Sequence, residues 1–472
     1  MQKRVAIIGG GISGLTAAYY LQKAKEVDND LSVTLYEGEQ KLGGKMQTEF
    51  HEGCVIERGP DSFLARKTIA TELCNELGLG EDLVSNHTGK SYVLSNGRLH
   101  AMPGGSVMGI PTQLKPFVFT SLFSPFGKMR AAFDFVMKPT EMQGDMALGA
   151  FFRRRVGNEV VDNLIEPLLS GIYAGDIDKM SLMATFPNFY QVEQKHGSLV
   201  RGMKKTTPAP KKTSKEGEKV GMFRTLKNGL SSLTIALENR LHDISILKNT
   251  KVLHVKKIDD MFQLELSTGQ LEEFDEIIVC TPHQITYAMF RDYEAFHVLK
   301  DIPSTTVANV AMAFPIEAIK DTLDGTGFVV SRKHDSAMTA CTWTHKKWPH
   351  TAPAKKALLR CYIGKPGEEE LVHKSDEEIT ATVLSDLRKV MNFDAEPDFA
   401  IVSRWKESMP QYTVGHVERL KTLRTYMAEN LPNMYLAGAS YEGLGLPDCM
   451  NQGKNAALQI ISKVQIENLV SQ

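Results

Sequence analysis

The chain lacks several features that would assign a protein to a class at once. It has only six cysteines among 472 residues, with no Cys-x-x-Cys pair, and none of its 13 histidines forms a His-x-x-x-His pair. The scattered cysteines argue against a disulfide framework or a zinc site and favour reduced thiols in the cytosol. A formal net charge of −1 provides no basic field for nucleic acid. We therefore expect neither a metal centre nor nucleic-acid binding.

Long apolar runs are also absent. None approaches the roughly 18 residues of a membrane-spanning helix, and the apolar run at residues 5–8 is too short for a signal peptide and ends in glycines. Residues 115–137 form the most apolar region, but Pro125, Gly127 and charged residues interrupt it. We interpret this region as domain core, with contact to a lipid surface as the alternative. The expected location is the cytoplasm, with peripheral attachment to the inner face of the cell membrane left open.

A glycine-rich turn stands almost at the start of the sequence. "VAIIGGGISGLTAAYYL", residues 5–21, has the pattern of a short buried strand, a tight turn and a helix. The turn contains the motif Gly-x-Gly-x-x-Gly, made of Gly9, Gly10, Gly11, Ile12, Ser13 and Gly14. The first motif glycine allows the turn, the second lets the backbone approach a pyrophosphate, and the third lets the helix pack on the strand. Free N–H groups at the helix start then face the phosphates.

A second strand, "SVTLYE", ends at Glu37, 23 residues after Gly14. A carboxylate at this position accepts hydrogen bonds from the ribose hydroxyls of an adenosine and repels a 2′-phosphate, which argues against NADP. Together with the glycine turn, Glu37 predicts dinucleotide binding. A purely structural glycine turn is the alternative.

The residues that follow favour FAD over NAD. Gly43, Gly44 and Lys45 let the chain pass close to an extended cofactor and place a cation near its phosphates. Residues 59–62, Gly-Pro-Asp-Ser, have the composition of a turn. Far downstream, residues 274–282 predict a buried strand, and residues 433–464 predict a strand, a glycine-rich turn and a helix. This order resembles the glutathione-reductase-like flavoproteins of the amine-oxidase type, which place a helix N-terminus near the flavin ring.

The fold class expected from these pieces is α/β with a discontinuous FAD-binding domain. Its segments are residues 1–75, 221–290 and 405–472. The other expected units are an inserted helical domain at 91–200, a basic loop at 201–220, and a substrate-binding domain at 291–404 with an antiparallel sheet under helices. The basic loop is expected to be solvated, with contact to an acidic substrate or anionic lipid as the alternative. In the last unit, Ser375 and Glu378 form a capping-box pattern.

Composition and spacing do not identify what is oxidised, but five segments carry a more specific resemblance. They are "ERGPDSFLARK", "LHAMPGGSVMGIP", "EPLLSGIYAGDIDKMS", "MPQYTVGH" and "YEGLGLPDCMNQG". Through them the chain resembles, nearly end to end, the oxygen-dependent porphyrinogen oxidases of haem biosynthesis, and among these the Gram-positive members that form coproporphyrin. One departure from the flavoproteins of the amine-oxidase type lies at Ala439 and Ser440, where those proteins usually have an acidic residue. One ribityl or phosphate contact is therefore left open.

The resemblance implies an FAD-dependent oxidase that removes six electrons from a porphyrinogen, uses O2 and releases H2O2. It implies no catalytic side chain, because the flavin carries the chemistry. The FAD contacts that it implies are Gly9, Gly10, Gly11, Ile12, Ser13, Gly14, Glu37, Gly38, Gly44, Lys45, Gly59, Pro60, Asp61, Ser62, Val252, Trp405, Leu444, Gly445 and Leu446. For Trp405, packing in the core is the alternative.

Six further residues are candidates for substrate contact. Arg66 and Lys67 are expected to meet substrate carboxylates, with simple solvation as the alternative. A wall of the substrate pocket is expected from Gly171, Ile172, Tyr173 and Ala174, with a packing turn as the alternative.

Several interpretations stay open at this point. The substrate is coproporphyrinogen III by resemblance, with protoporphyrinogen IX as the alternative. Another flavin amine oxidase or a desaturase is the next rival, and a non-catalytic binding protein that keeps the dinucleotide fold is the rival from a different class. The expected partners are the porphyrinogen and O2, with hand-over to other haem-pathway enzymes as an extension.

Overall fold

A computed structural model describes residues 2–26, 30–207, 221–319 and 323–470. Its strands, numbered along the chain, are β1 (Lys3–Ile8), β2 (Leu31–Tyr36), β3 (Thr48–His51), β4 (Cys54–Glu57), β5 (Phe63–Leu64), β6 (Leu83–Ser85), β7 (Tyr92–Ser95), β8 (Arg98–Ala101), β9 (Ser106–Val107), β10 (Ile110–Pro111), β11 (Phe223–Leu226), β12 (Ser245–Leu247), β13 (Val252–Ile258), β14 (Met261–Leu266), β15 (Leu271–Phe274), β16 (Glu276–Val279), β17 (Ser304–Pro315), β18 (Gly327–Val330), β19 (Met338–Trp343), β20 (Lys356–Ile363), β21 (Phe399–Pro410) and β22 (Met434–Leu436).

The helices are α1 (Ile12–Lys25), α2 (Ile69–Glu76), α3 (Leu114–Phe119), α4 (Pro125–Ala132), α5 (Leu148–Val156), α6 (Asn158–Val160), α7 (Glu166–Tyr173), α8 (Leu182–Thr185), α9 (Pro187–His196), α10 (Leu199–Thr206), α11 (Ser231–Arg240), α12 (His283–Met289), α13 (Thr344–Lys347), α14 (Asp376–Met391), α15 (His416–Asn430) and α16 (Leu446–Val470). Among the residues described, no helix combines the length and apolar character needed to cross a membrane.

A parallel sheet with the order β12-β2-β1-β16-β22 forms one layer of the molecule. β1 lies at its centre and is apolar on both faces, as a strand covered on both sides must be. One face is covered by α1 and α16, which contribute Leu15, Leu21, Met450 and Ile460 to a shared apolar core. Because the strands come from the start, the middle and the end of the chain, the carboxyl edge of this sheet gathers segments that are distant in sequence.

A second, mostly antiparallel sheet has the order β21-β17-β20-β19-β18-β7-β8. α14 packs on it through Ile379, Val383 and Leu387. The helix starts with the predicted capping box, in which the Ser375 hydroxyl accepts the Glu378 N–H at 3.2 Å and the Glu378 carboxylate accepts the Ser375 N–H at 3.1 Å. The capping-box prediction is therefore confirmed.

Two boundaries differ from those that the sequence predicts. The region predicted as helical from residue 91 starts with β7 and β8, and β7 pairs in parallel with β18 of the second sheet. A run of buried apolar residues such as Tyr92 to Leu94 does not distinguish a strand from a helix by periodicity. At the other end of the substrate unit, β21 runs across residues 404 and 405, which places Trp405 on the second sheet.

The helical layer, α3 to α10, has its own apolar core. At its centre the guanidinium of Arg155 bonds the Asp134 carboxylate at 2.5 Å and lies 3.1 Å from the Glu193 carboxylate, and all three side chains are fully buried. The predicted basic loop begins inside this layer, since residues 201–206 belong to α10. Residues 208–220 of that loop lie outside the described residues.

Candidate cofactor and substrate site

The glycine turn lies at the carboxyl end of β1. The Gly9 N–H donates to the Tyr36 carbonyl at 2.8 Å, and Gly9 adopts a φ of +106°, a conformation that favours glycine. A Cβ on Gly14 would lie 2.0 Å from the Gly9 carbonyl oxygen, so only glycine lets α1 start this close to the strand. Gly11, by contrast, has no atom within 4 Å of its Cβ direction. The turn therefore presents an open backbone face at the N-terminus of α1, as a pyrophosphate site requires.

Glu37 lies beside this turn. Its carboxylate accepts the N–H of Gly10 at 2.8 Å and the N–H of Glu39 at 2.9 Å, which fixes the side chain and leaves oxygen lone pairs for hydroxyl donors. The Glu37 carbonyl accepts the Thr250 N–H at 2.8 Å, so the segment that leads into buried Val252 runs alongside. Glu37, Gly38 and Val252 thus lie close together, at the place where the adenosine half of a dinucleotide is predicted to bind.

Lys45 provides an isolated cation in the predicted cofactor crevice, beside the glycine turn. Gly43 pairs with the glycine turn, because its N–H donates to the Gly10 carbonyl at 2.8 Å. Two residues on, the Lys45 ammonium donates to the Ser408 carbonyl. Burial lowers the pKa of Lys45 to about 8, and the nearby Cys449 thiol only partly opposes this shift. The described residues give Lys45 no carboxylate partner, so its environment suits an external anion such as a phosphate.

The turn at residues 59–62 is fastened to the second sheet by side chains. The Trp405 indole N–H and the Asn309 amide donate to the Arg58 carbonyl at 2.9 and 2.7 Å. The Arg360 guanidinium donates to the carbonyl of Gly59, and a Cβ on Gly59 would lie 1.8 Å from the Lys45 carbonyl oxygen. The backbone of the turn is thereby held in one place, next to the segment that carries Lys45.

Asp61 has a different environment from the rest of this turn. Its carboxylate accepts from Lys347 at 2.8 Å and from the Ser62 hydroxyl at 2.7 Å. Burial by itself would raise the pKa of Asp61, but Lys347 and Arg360 outweigh it and hold the pKa well below its usual range. The Asp61 side chain is committed to α13, which leaves the backbone of the turn for a cofactor.

The last turn before α16 closes the crevice from the other side. A Cβ on Gly453 would lie 2.1 Å from the Ser13 carbonyl oxygen, so α16 approaches α1 at backbone contact. Gly443 has a φ of +93°, and residues 444–446 follow it into the N-terminus of α16. Cys449 lies in the first turn of that helix, and burial raises the pKa of its thiol to about 11. The thiol is therefore neutral and is not a nucleophile.

Ser440 stands where the sequence departs from the expected acidic residue, and the structure shows its partner. The Ser440 hydroxyl oxygen lies 3.0 Å from both the backbone N and the Nδ1 of His283. His283 Nε2 lies 2.8 Å from the Ile302 carbonyl, which only accepts, so Nε2 carries the hydrogen and Nδ1 accepts from Ser440. Burial lowers the pKa of His283 to about 4, which keeps the ring neutral. The Ser440 hydroxyl is therefore engaged by His283 inside the protein.

Three residues of the predicted substrate set, Arg66, Lys67 and Tyr173, lie near Asp448. Lys67 bonds both oxygens of the Asp448 carboxylate, at 2.5 and 2.6 Å. Tyr173 lies within electrostatic reach of Asp448 and Arg66, and burial first, then Asp448, raises the pKa of its hydroxyl to about 12. We refer to Arg66, Lys67, Tyr173 and Asp448 as the Lys67 cluster.

The remaining wall candidates continue from this cluster along the end of α7. Gly171 is exposed and Ile172 is 53% exposed, whereas Ala174 ends the helix in the left-handed region at a φ of +46°. The Gln411 amide donates to the Tyr173 carbonyl at 3.0 Å and lies 3.4 Å from that of Ala174. The Gln411 hydrogen bond fixes the end of α7. The exposed surface formed by Gly171 and Ile172 therefore lies beside the Lys67 cluster.

Sequence reasoning did not single out several of the residues that build this site. Asp448, His283, Asn309 and Arg360 act through partners that lie from 51 to 381 residues away along the chain. Asp448 stands within a quoted motif, three residues from Gly445, so a carboxylate beside a glycine turn was a usable signal. No local sequence pattern indicated that buried Arg360 would hold the turn at residues 59–62.

A protein-family model described as flavin containing amine oxidoreductase matches residues 12–461. The chain belongs to this family. A coproporphyrinogen III oxidase of Bacillus subtilis is 53% identical over 456 residues, which cover 96% of this chain and 97% of that protein. Another, of Staphylococcus aureus, is 47% identical and covers 98% of this chain and 100% of the relative.

Solved structures agree with the family. A crystal structure from Exiguobacterium sp. 255-15, provisionally described as a protoporphyrinogen oxidase, is 39% identical, covers 98% of this chain and 99% of that chain, and has a TM-score of 0.87. A putrescine oxidase variant, 18% identical with a TM-score of 0.70 and coverage of 98% and 99%, shares the fold. The predicted amine-oxidase type of α/β fold and the predicted flavin cofactor are therefore confirmed. Within the described residues no group of side chains is arranged to hold a metal ion.

Proposed function

We propose that this chain oxidises coproporphyrinogen III to coproporphyrin III with FAD as cofactor, consuming three O2 and releasing three H2O2 for each six-electron oxidation. The observation that carries the proposal is the similarity over nearly the whole chain to two proteins that bear this activity's name. Relatives named protoporphyrinogen oxidase are more distant, such as one from Arabidopsis thaliana at 28% identity. The preferred substrate is therefore the tetracarboxylate.

The residues of the site suit an extended flavin dinucleotide. Glu37 would hold the adenosine ribose, the open face at Gly11 would take the pyrophosphate, and Lys45 would supply the missing countercharge. When bound, FAD supplies the redox chemistry: it takes a hydride equivalent from a bridging carbon of the macrocycle and passes the electrons to O2. The N-terminus of α16 adds positive potential at the predicted ring site.

The substrate face is supported by the end of α7 and the Lys67 cluster. Gly171 and Ile172 offer a flat, partly apolar surface to the macrocycle, and Arg66 and Lys67 offer cations to its carboxylates. His283 is buried with both ring nitrogens hydrogen-bonded inside the protein, and Cys449 keeps its proton, so neither is placed to serve as a base or nucleophile. The task of the protein in this proposal is to orient the macrocycle and to exclude competing reactions.

The decisive experiment compares two substrates on one preparation. Purified protein is supplied with FAD and then with coproporphyrinogen III or protoporphyrinogen IX, and product fluorescence and O2 uptake are followed. We expect faster turnover of coproporphyrinogen III, with one H2O2 for each O2. Faster turnover of protoporphyrinogen IX would overturn the substrate assignment, and a protein that takes up no flavin would favour the non-catalytic alternative. Turnover of amines instead would favour an amine oxidase.

We also propose that the protein works in the cytoplasm and attaches peripherally to anionic membranes. Exposed apolar side chains lie on α4 and directly after it, since Phe126 and Met129 on the helix and Phe133 at its end are 78%, 56% and 53% exposed. Phe119, beside it, is 85% exposed. The only acidic residue in residues 114–138, Asp134, is fully buried, so the cations of this surface suit anionic lipid.

Vesicle sedimentation tests the attachment. Wild-type protein is expected to sediment with phosphatidylglycerol vesicles and to do so less in high salt and with phosphatidylcholine. Phe126→Ser should weaken sedimentation, whereas Phe50→Ser, at a phenylalanine on the β3–β4 hairpin that is 65% exposed, should not. Equal effects of the two variants would overturn the assignment. Hand-over of the product to another haem-pathway enzyme remains a prediction from the resemblance.

A further inference from the structure

The ion pair between Lys67 and Asp448 joins two segments that are predicted to enclose the flavin. Lys67 follows the turn at residues 59–62 after β5, and Asp448 lies in the first turn of α16 directly after residues 444–446. The ammonium nitrogen lies 2.5 and 2.6 Å from the two carboxylate oxygens, and the two side chains are 35% and 27% exposed. Both charges therefore remain within reach of a ligand from solvent.

Together with its neighbours, this ion pair forms a cluster with a net positive charge. Arg66 is exposed and forms no ion pair with a described residue, whereas Lys67 is compensated by Asp448. Tyr173, from the predicted substrate wall, is close enough for both Arg66 and Asp448 to act on its hydroxyl. The Lys67 cluster thus carries two cations and one carboxylate next to the surface on which the macrocycle is expected to lie.

We propose that Asp448 is an internal carboxylate that occupies Lys67 in the free protein and is exchanged for a carboxylate of the substrate. This inference rests on the proposed function, because the exchanging ligand is a porphyrinogen with several propionate groups. A substrate carboxylate and the Asp448 carboxylate are the same chemical group, so each can take the same N–H donors of Lys67. The exchange breaks one ion pair and forms another, and no covalent bond changes.

An internal competitor has a consequence for product release. Coproporphyrin carries the same carboxylates as coproporphyrinogen, so any cation that binds the substrate tightly also retains the product. Asp448 lowers the affinity for both, because Lys67 must give up an existing partner before it binds either. Asp448 would therefore increase the rate of product release and lower the affinity for substrate. A residue that only shaped the site would have the opposite effect on affinity when removed.

The test measures binding of coproporphyrin III, the stable product, to the FAD-loaded protein at low ionic strength. Asp448→Asn keeps the shape of the side chain and removes its charge, and we expect it to bind coproporphyrin III about fivefold more tightly than wild type. We also expect a lower KM for coproporphyrinogen III together with a lower kcat. Asp448→Ser, compatible with a helix start, is the second variant in case the asparagine variant is unstable.

Two controls define the effect. Glu442→Gln removes another carboxylate near the start of the same helix, one that pairs with Arg424, and should leave affinity unchanged. Lys67→Met should weaken binding, and Asp448→Asn in the Lys67→Met background should no longer tighten it. Weaker or unchanged binding by Asp448→Asn, or tightening that persists without Lys67, would overturn the proposal. Failure of the proposed function itself would be seen separately, as wild-type protein that neither binds coproporphyrin III nor oxidises coproporphyrinogen III.

Discussion

Ser13 and Gly453 meet at backbone contact although 440 residues separate them, since a Cβ at position 453 would lie 2.1 Å from the Ser13 carbonyl oxygen. Ser13 belongs to the glycine turn, and Gly453 belongs to α16. This contact determines how closely the first and last helices approach, and with them the two sides of the predicted flavin crevice.

Replacement of Gly453 by alanine is expected to separate α1 from α16. Because the obstructing atom is backbone, the helices must move, and overpacking of this kind costs about 1–3 kcal/mol. We expect a lower urea midpoint and reduced FAD content. Gly89→Ala is the control, since the direction of its Cβ is open. Full FAD retention by Gly453→Ala would show that the helix contact does not shape the crevice.

Lys45→Met is expected to weaken FAD binding by about tenfold or more, because a charge-assisted hydrogen bond to an anion contributes about 1.5–3 kcal/mol. Titration of the apoprotein with FAD, followed by flavin fluorescence, measures the change. Lys41→Met, at an exposed lysine in the same loop, provides the comparison. Unchanged affinity in Lys45→Met would place the lysine outside the cofactor site.

The pH dependence of apoprotein stability follows from the same lysine. The pKa of Lys45 is about 8 in the folded apoprotein, against 10.5 for an unperturbed lysine. Between these values the unfolded chain holds a proton that the folded protein has released, so the free energy of unfolding rises with pH across this window. Below about pH 8 Lys45 is protonated in both states, so the free energy of unfolding no longer changes with pH through this residue and the full cost of burying its charge remains. Urea unfolding of the apoprotein from pH 7 to 10 should show a rise in wild type that Lys45→Met lacks.

Trp405→Phe tests how the turn at residues 59–62 is held. The variant keeps an aromatic ring but loses the indole N–H bond to the Arg58 carbonyl, an expected cost of about 1 kcal/mol. FAD affinity should fall by about fivefold, as measured by the same titration. Tyr362→Phe, on the same sheet, removes a hydroxyl that makes no hydrogen bond with a described residue and should change nothing.

Arg155→Met addresses the buried charges of the helical layer. Removing the guanidinium leaves the Asp134 and Glu193 carboxylates buried without their cation, which costs about 3–5 kcal/mol. The urea midpoint should fall strongly, whereas Lys389→Met, at a lysine that is 72% exposed, should leave it nearly unchanged. A small effect in Arg155→Met would mean that the layer relaxes to admit water.

The sequence was sufficient where a local pattern fixes a local structure. The glycine turn, the place of Glu37 at a strand end and the Ser375 capping box each depend on local spacing, and the structure shows these local features as expected. The sequence was not sufficient where burial, rather than periodicity, determines whether a segment forms a strand or a helix. Residues 92–95 form a strand that pairs with β18 and β8 and is buried on both faces, with Tyr92 and Leu94 in the core of the second sheet and Val93 in that of the helical layer.

Long-range partners also escaped sequence reasoning. Lys67 was predicted to meet a substrate carboxylate, and the structure adds a partner that the sequence did not indicate, Asp448, 381 residues away. Asp61 was predicted as a cofactor contact, which stays a prediction, and the sequence did not indicate that Lys347 holds its carboxylate. In both residues the type of chemistry was readable from the sequence, whereas the identity of the partner depends on how three layers meet.

The order of the strands in the parallel sheet has a consequence for how the protein is made. β1 can pair with β16 only after the middle of the chain has been made, and β16 stays unpaired on its other side until β22 has been made. Pairing over such sequence distances is slow, and during translation the edge of β16 lacks the neighbour that later covers it. A chain truncated before β22 would therefore expose the unpaired edge of β16, a site for aggregation, and would lack the helix that is predicted to border its coenzyme.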